Sequence, residues 1–185
     1  MIFRKRALDA TAASDGLTRQ AELRPLSVDD VSTVRYVHST SFIDAAGNHY
    51  TTADIDAFHQ YVQSPHYADV LLGNRAIAAW IGSQIVGSAA WSPRDTPGPT
   101  ARILAVYVQP LFSHAGIGRL LVQRIEAEAH AEGYPALNVS ATLNAVGFFE
   151  ALGYWVTRNG NWPLPSGREI PVAFMRKVDF AYTTH

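Results

Sequence analysis

Val106-Tyr107-Val108-Gln109-Pro110-Leu111-Phe112-Ser113-His114-Ala115-Gly116-Ile117-Gly118-Arg119-Leu120-Leu121 is the most informative run in the chain. An apolar strand passes through a short loop into an amphipathic helix. The first turn of any helix leaves about four N–H groups without internal partners, and the helix dipole adds partial positive charge at that end. Gly116 and Gly118 carry no side chains, so an anionic group such as a pyrophosphate can come close to the backbone there. Arg119 and His114 add positive charge at the rim. The pair Gly116-x-Gly118 taken alone fits close helix–strand packing equally well. Two other nucleotide motifs are excluded. A dinucleotide fingerprint needs a third glycine, and a P-loop needs Gly-Lys followed by Ser or Thr.

Working outward, the helix reads from Gly116 to Glu132. Ile117, Leu120, Leu121 and Ile125 form an apolar stripe, with Glu126, Glu128 and Glu132 expected to face water. Gly133 suits its C-terminal cap. A strand follows at 136–140, a helix at 143–152 and closing strands at 154–158 and 170–178. Upstream, 76–81 and 84–91 form a hairpin across Gly82-Ser83, and 102–108 is a third strand. Pro93, Pro97 and Pro99 mark a loop at 92–100. Nearer the start, 23–26 reads as a strand. Ser27 with Asp30 and Thr51 with Asp54 are capping-box signals that open two helices. The second helix stops at Ser64-Pro65, and 43–50 reads as a loop between the two. The order predicts an α/β fold with a mixed sheet flanked by helices. Residues 1–20 are expected to be a disordered leader, and 21–185 a single domain.

Composition narrows the function. The chain has 185 residues, 48% of them hydrophobic and 17% charged, which suits one ordinary globular domain. Its formal net charge of -1 provides no overall basic field for nucleic acid or an anionic membrane surface. No apolar run approaches the ~20 residues needed to span a bilayer. The basic start, Met1 to Arg6, lacks the apolar stretch of a secretory signal. Cysteine is absent, which excludes disulfides, thiolate metal sites and a cysteine nucleophile. That absence suits a reducing compartment, so a cytoplasmic location is expected. No histidine pair has metal-ligand spacing with a supporting carboxylate, so no metal is expected.

Two stretches together resemble the GNAT N-acetyltransferase superfamily. Residues 106–121 are similar to its motif A, Gln/Arg-x-x-Gly-x-Gly/Ala after a Val-x-Pro strand end, with Ser113 standing where Gln or Arg is usual. Residues Ser140 to Tyr154, with Asn144, Phe148, Glu150 and Gly153, resemble its motif B. The two occur in the family's order and spacing, and the resemblance covers roughly 21–178. It implies a GNAT-like sheet whose strands splay apart at an acyl-CoA site. The backbone of Val106 and Val108 would then bond the acyl and pantetheine part. Amides of His114, Ala115, Gly116, Ile117, Gly118 and Arg119 would hold the pyrophosphate. Asn144 would bond the pantetheine or phosphate region, and Phe148 would wall the groove.

The same resemblance implies acetyl-CoA as acyl donor and a small-molecule amine as acceptor. Attack would be direct, in a ternary complex. A homodimer is common in the family. A protein acceptor and a non-catalytic acyl-CoA sensor are the other readings.

Two departures bear on the chemistry. Phe149 stands where many relatives have a proton-donating tyrosine, and a phenyl ring has no proton to give. Arg102 stands where many carry a glutamate near the amine. Replacement catalytic groups are Tyr107, Asp95 and Ser140, with Thr142, His38, His59 and His66 nearby. Each has a duller reading: Tyr107 as core or surface by strand alternation, Asp95 as a solvated turn carboxylate, Ser140 as a local backbone bonder. Aromatic residues gather where the acceptor would enter, namely Tyr36, Phe42, Tyr50, Phe58, Tyr61, Tyr67, Trp91 and Trp162. The rigid segment 162–167 could act as a lid.

Overall fold

The computed structural model describes residues 16–94 and 98–178. Most of the leader expected over 1–20 lies outside them. Its last five residues, 16–20, are helical, and the Thr18 hydroxyl donates to the Ala115 carbonyl at 2.5 Å.

Seven strands form one sheet: β1 (Glu22–Pro25), β2 (Arg75–Ile81), β3 (Gln84–Pro93), β4 (Thr100–Val108), β5 (Ala136–Thr142), β6 (Trp155–Pro163) and β7 (Glu169–Val178). Their spatial order is β1-β2-β3-β4-β5-β7-β6. Only the β4–β5 pair is parallel. A parallel neighbour needs a crossover, and α4 (Ile117–Ala131) supplies it. That helix packs Ile117, Leu121, Val122 and Ile125 against Val86, Ile103 and Leu137 on one face of the sheet.

On the other face lie α1 (Val31–Ala46), α2 (Thr52–Gln63) and α3 (Pro65–Leu72). Val34, Phe42, Phe58 and Leu71 make a second core there with Ala78 and Ile170. Helix α1 runs four residues into the stretch expected to be loop, because Phe42 and Ala46 bury inward. It breaks at Gly47, whose φ is +47°. The Thr51–Asp54 capping box forms, with the Thr51 N–H donating to Asp54 at 2.9 Å. Helix α3 follows directly where the sequence pattern predicts only a stop. Ser64 caps it by accepting from the Tyr67 N–H, and Pro65 occupies its first turn, where a missing N–H costs nothing. The expected helix at 143–152 shortens to a 3₁₀ turn (Leu143–Ala145) and α5 (Val146–Glu150).

Glu126 departs from its expected solvent-facing role. It is buried, accepting from the Tyr154 hydroxyl at 2.7 Å and from Lys177 at 2.9 Å. A buried carboxylate is tolerated when fully partnered, and these partners come from sequence far away. Helical periodicity could not reveal them.

Candidate active site

Strands β4 and β5 pair only from Thr100↔Ala136 to Ile103↔Val139. Beyond that point β4 continues to Val108 while β5 stays paired with β7 as far as Thr142. The sheet therefore opens a V-shaped cleft between Leu104–Val108 and Ser140–Thr142. Ladder groups freed at such a split need partners, which makes the cleft a natural seat for an extended ligand.

A bulge in β4 shapes one wall. The β3–β4 register shifts between Ser88↔Tyr107 and Ala90↔Leu104. At its centre Ala105 has φ +55°, rare for a residue other than glycine. The extra residue reverses the side-chain alternation. Ala101 and Ile103 point into the α4 core, but so do Val106 and Val108, leaving Ala105 and Tyr107 on the face of α1 to α3.

A buried hydrogen-bonded chain supports the bulge. Ser88 donates to the Ala105 carbonyl at 3.1 Å. Its hydroxyl has one proton, so it must accept from His38 Nε2, 2.6 Å away. His38 Nδ1 is then the acceptor for the Tyr67 hydroxyl at 2.6 Å. This assigns the tautomer from the network. The imidazole is fully buried and tilted over the Tyr107 ring, with centroids 4.4 Å apart. Desolvation lowers its pKa to about 3. His38 is a structural connector in its neutral form.

Two cavities meet at the split. One, of about 690 Å³, is lined by Val106, Val108, His114, Gly116, Gly118, Arg119, Asn144 and Phe148, among others. Eight of the ten positions expected to hold the cofactor thus border one space. Ala115 and Ile117, the remaining two, turn their side chains into the core, as backbone-only contributors would. Gly116 caps α4 with φ +83°, and a Cβ on Gly118 would come within 3.3 Å of the Phe148 ring. Both glycines keep this wall open.

The second cavity, of about 490 Å³, lies on the other side of the split. Its walls include Tyr61, His66, Tyr67, Arg102, Ser140 and Trp162 to Pro165. Val106, Tyr107, Thr142, Ala145 and Phe149 border both spaces. Phe149 is buried against Tyr154 and Phe148, as a wall with no proton to supply.

Tyr107 and Thr142 are the two polar side chains that border both cavities. Tyr107, a phenol, is the acidic group of the pair. Among the described residues its hydroxyl has no hydrogen-bond partner. Burial, followed by the electrostatics of Tyr50 and Tyr61, raises its pKa above the ordinary value, so it stays protonated at neutral pH. Ser140 borders only the second cavity. Asp95 lies outside the described residues. His59 contacts the Ser39 hydroxyl at 3.2 Å and borders neither cavity.

Of the aromatics, Tyr61, Tyr67 and Trp162 line the second cavity and Phe42 the first. Trp91 sits in the α4 core on the opposite face, and Tyr36 is exposed. Tyr50 is saturated: it donates to the Pro171 carbonyl at 2.9 Å and accepts from the Leu143 N–H at 2.8 Å. It fixes the far end of β5. Among the described residues no cluster of His, Asp or Glu could hold a metal, and no described helix is long and apolar enough to cross a membrane.

Residues 46–161 match the acetyltransferase (GNAT) domain family. The chain belongs to the GNAT acetyltransferases. Solved structures repeat the fold. A GCN5-related N-acetyltransferase from Rhodopseudomonas palustris is 24% identical, covers 86% of this chain and 96% of its own, and superposes with a TM-score of 0.77. The PaiA N-acetyltransferase from Thermoplasma acidophilum, solved with coenzyme A, is 18% identical, with coverage of 86% and 99% and a TM-score of 0.64. A GNAT family acetyltransferase from Brucella melitensis, solved with acetyl-CoA, is 18% identical, with coverage of 85% and 87% and a TM-score of 0.59. No curated protein matches the chain. In this GNAT acetyltransferase the mixed sheet and its opening between β4 and β5 agree with the fold expected from the two motifs.

Proposed function

We propose that this GNAT acetyltransferase moves an acetyl group from acetyl-CoA to the amine of a small molecule by direct attack in a ternary complex. One observation carries the reading: β4 and β5 part after Ile103 and Val139, and a cavity lies on each side of the parting with Tyr107 in both. Such a layout lets donor and acceptor approach a common point from opposite sides, which converts a bimolecular encounter into a positioned one. An acceptor cavity of about 490 Å³ walled by Trp162 to Pro165 suits a small molecule better than an extended peptide.

In this reading the amides from His114 to Arg119 hold the pyrophosphate at the start of α4. Backbone groups of Val106 and Val108 bond the pantetheine arm, Asn144 assists, and Phe148 walls the groove. The amine lone pair attacks the thioester carbonyl carbon. A C–N bond forms and the oxygen gains charge. In this reading, backbone N–H groups left without a ladder partner where β4 parts from β5 stabilise that charge. The C–S bond then breaks, and Tyr107 gives its proton to the departing thiolate, the role Phe149 cannot fill. Tyr107 is re-protonated from solvent through the open cavity. The proton lost by the amine leaves through water.

Calorimetry with acetyl-CoA, followed by thiol release across a panel of amines, tests the reading. Binding together with turnover is expected. Binding with no turnover of any small amine, together with acetylation of a protein target, would overturn the small-molecule acceptor. No binding would overturn the whole assignment.

A further inference from the structure

The acceptor cavity has an unusual charge. Its ionisable lining consists of Tyr61, Tyr67, Tyr107, His66 and Arg102, with no Asp or Glu among the described residues. Arg24, Arg75, Arg124 and Arg168 are each paired with a carboxylate. Arg102 is exposed into this cavity, and among the described residues no carboxylate pairs with it. Its charge is felt by Tyr61, whose pKa is raised by burial and pulled back by Arg102. Arg102 therefore has a full set of guanidinium donors facing a ligand space.

Its position along β4 is also informative. Arg102 pairs with Asn138, one step before the last β4–β5 pair, Ile103↔Val139. In the transfer reading the reacting amine sits just past that pair. Successive strand residues rise by about 3.3 Å, so the guanidinium and the reaction point lie within reach of one small bifunctional molecule. A second positive charge on the acceptor would be repelled here, and an anion would be drawn in. Also lining the cavity, Tyr61 and Trp162 meet edge to face at 5.3 Å, beside Pro163. They offer an apolar and aromatic wall to the rest of the molecule.

We propose that the acceptor is an amino acid-like molecule whose carboxylate is bound by Arg102 while its amine faces the β4–β5 split. The proposal rests on the transfer reading above. Arg102 acts here as a specificity residue. A planar guanidinium takes a carboxylate through two parallel N–H···O bonds. The cation also disfavours the ammonium form of the nearby amine, easing formation of the neutral nucleophile.

The test compares free amino acids with their amides, using phenylalanine, tryptophan, methionine and leucine, after acetyl-CoA binding has been established by titration. Amidation lowers the amine pKa, so any bias unrelated to Arg102 favours the amide. Free acids are expected to show kcat/KM about tenfold or more above their amides, the scale of a hydrogen bond to a charged group. In Arg102→Gln the ratio should fall to within about threefold, while Arg102→Lys, keeping charge without the fork, should be intermediate.

A second arm needs no turnover. N-acetyl amino acids and N-acetyl amino amides are titrated into the CoA-bound protein, where the acids should bind tighter by a similar factor and lose that advantage in Arg102→Gln. Acetyl-CoA titration of each variant reports whether it folds. No acid preference in either arm, or a preference that survives in Arg102→Gln, overturns the proposal and leaves the transfer reading standing. Failure of the native protein to bind acetyl-CoA overturns both.

Discussion

Arg102 and Tyr107 share one face of β4 although an odd number of positions separates them. In a regular strand they would point to opposite sides. The bulge at Ala105 changes the phase, so the cation of the second cavity and a hydroxyl at the cavity junction come to the same wall. Strand alternation read from sequence leaves Tyr107 as core or surface. It is the positive φ of Ala105 that brings it into the site.

Tyr107→Phe isolates the proton-transfer role. The ring still packs at a tilt against His38 and Phe58, so packing is retained. Loss of a general acid typically costs about 10²–10⁴-fold, and a thiolate is a tolerable leaving group, so a fall of about 10²-fold in kcat is expected. KM for acetyl-CoA should change little. Steady-state kinetics with thiol detection measures both, and an unchanged kcat removes Tyr107 from the chemistry.

Backbone strain at Ala105 has a measurable sign. A left-handed conformation costs an L-residue about 1–2 kcal/mol. Ala105→Gly removes that cost but adds unfolded-state entropy of about 0.5–1 kcal/mol, so stability should hold or rise slightly. Ala105→Val places a β-branched side chain where it is a steric outlier and should lose about 2 kcal/mol or more, the usual scale of backbone strain. Urea unfolding of the two variants gives the comparison. Equal stabilities would mean that the bulge relaxes at no cost.

Buried His38 links stability to acid. Its folded pKa, about 3, lies below the ordinary value of 6.5. The unfolded chain therefore binds more protons between those values, and stability rises with pH across that window. It is fully present above about pH 6.5 and drains away as pH falls toward 3. The limiting slope is about 1.4 kcal/mol per pH unit. Urea midpoints measured from pH 7 to 4 should fall, and His38→Gln should flatten the profile. An identical slope in the variant would show that other groups carry the acid sensitivity.

Much of this site is visible in the amino-acid order. Gly116, Gly118, Asn144 and Phe148 border one cavity, and each pair sits in a strand–loop–helix segment whose local geometry follows local sequence. The caps at Thr51 and Asp54 are readable for the same reason. What escapes is nonlocal. Glu126 looks solvent-facing until Tyr154 and Lys177 are brought to it. His38 resembles a surface or packing residue until Tyr67 and Ser88, far apart in sequence, close on its two nitrogens. Helix α3 was within reach, since Ser64-Pro65 is a start signal as well as a stop.

Gly118→Val tests the donor wall. Even a Cβ would approach Phe148 at 3.3 Å, and a branched side chain would project into the groove. Affinity for acetyl-CoA should drop at least about tenfold, since each 1.4 kcal/mol of lost contact is a factor of ten. Calorimetry measures the drop, and circular dichroism checks that α4 persists. Unchanged affinity in a folded variant would place the cofactor elsewhere.

One wall of the second cavity is held from a distance. Arg168 Nε donates to Asp54 at 2.9 Å, tying the β6–β7 turn to the first turn of α2. The same turn is closed internally by the Leu164 N–H donating to the Arg168 carbonyl at 2.8 Å. Leu164 is buried, and Trp162 to Pro165 border the second cavity. Arg168→Ala should therefore loosen that wall without touching the donor side. KM for the acceptor is expected to rise severalfold, while the dissociation constant for acetyl-CoA stays within about twofold, because interactions lost at one site leave a distant, uncoupled one unchanged. Asp54→Ala removes the same tie together with the carboxylate half of the α2 capping box, so it should add a stability loss of about 1 kcal/mol. If both variants bind acceptor as the native protein does, the turn is held by Leu164 alone and the ion pair is incidental.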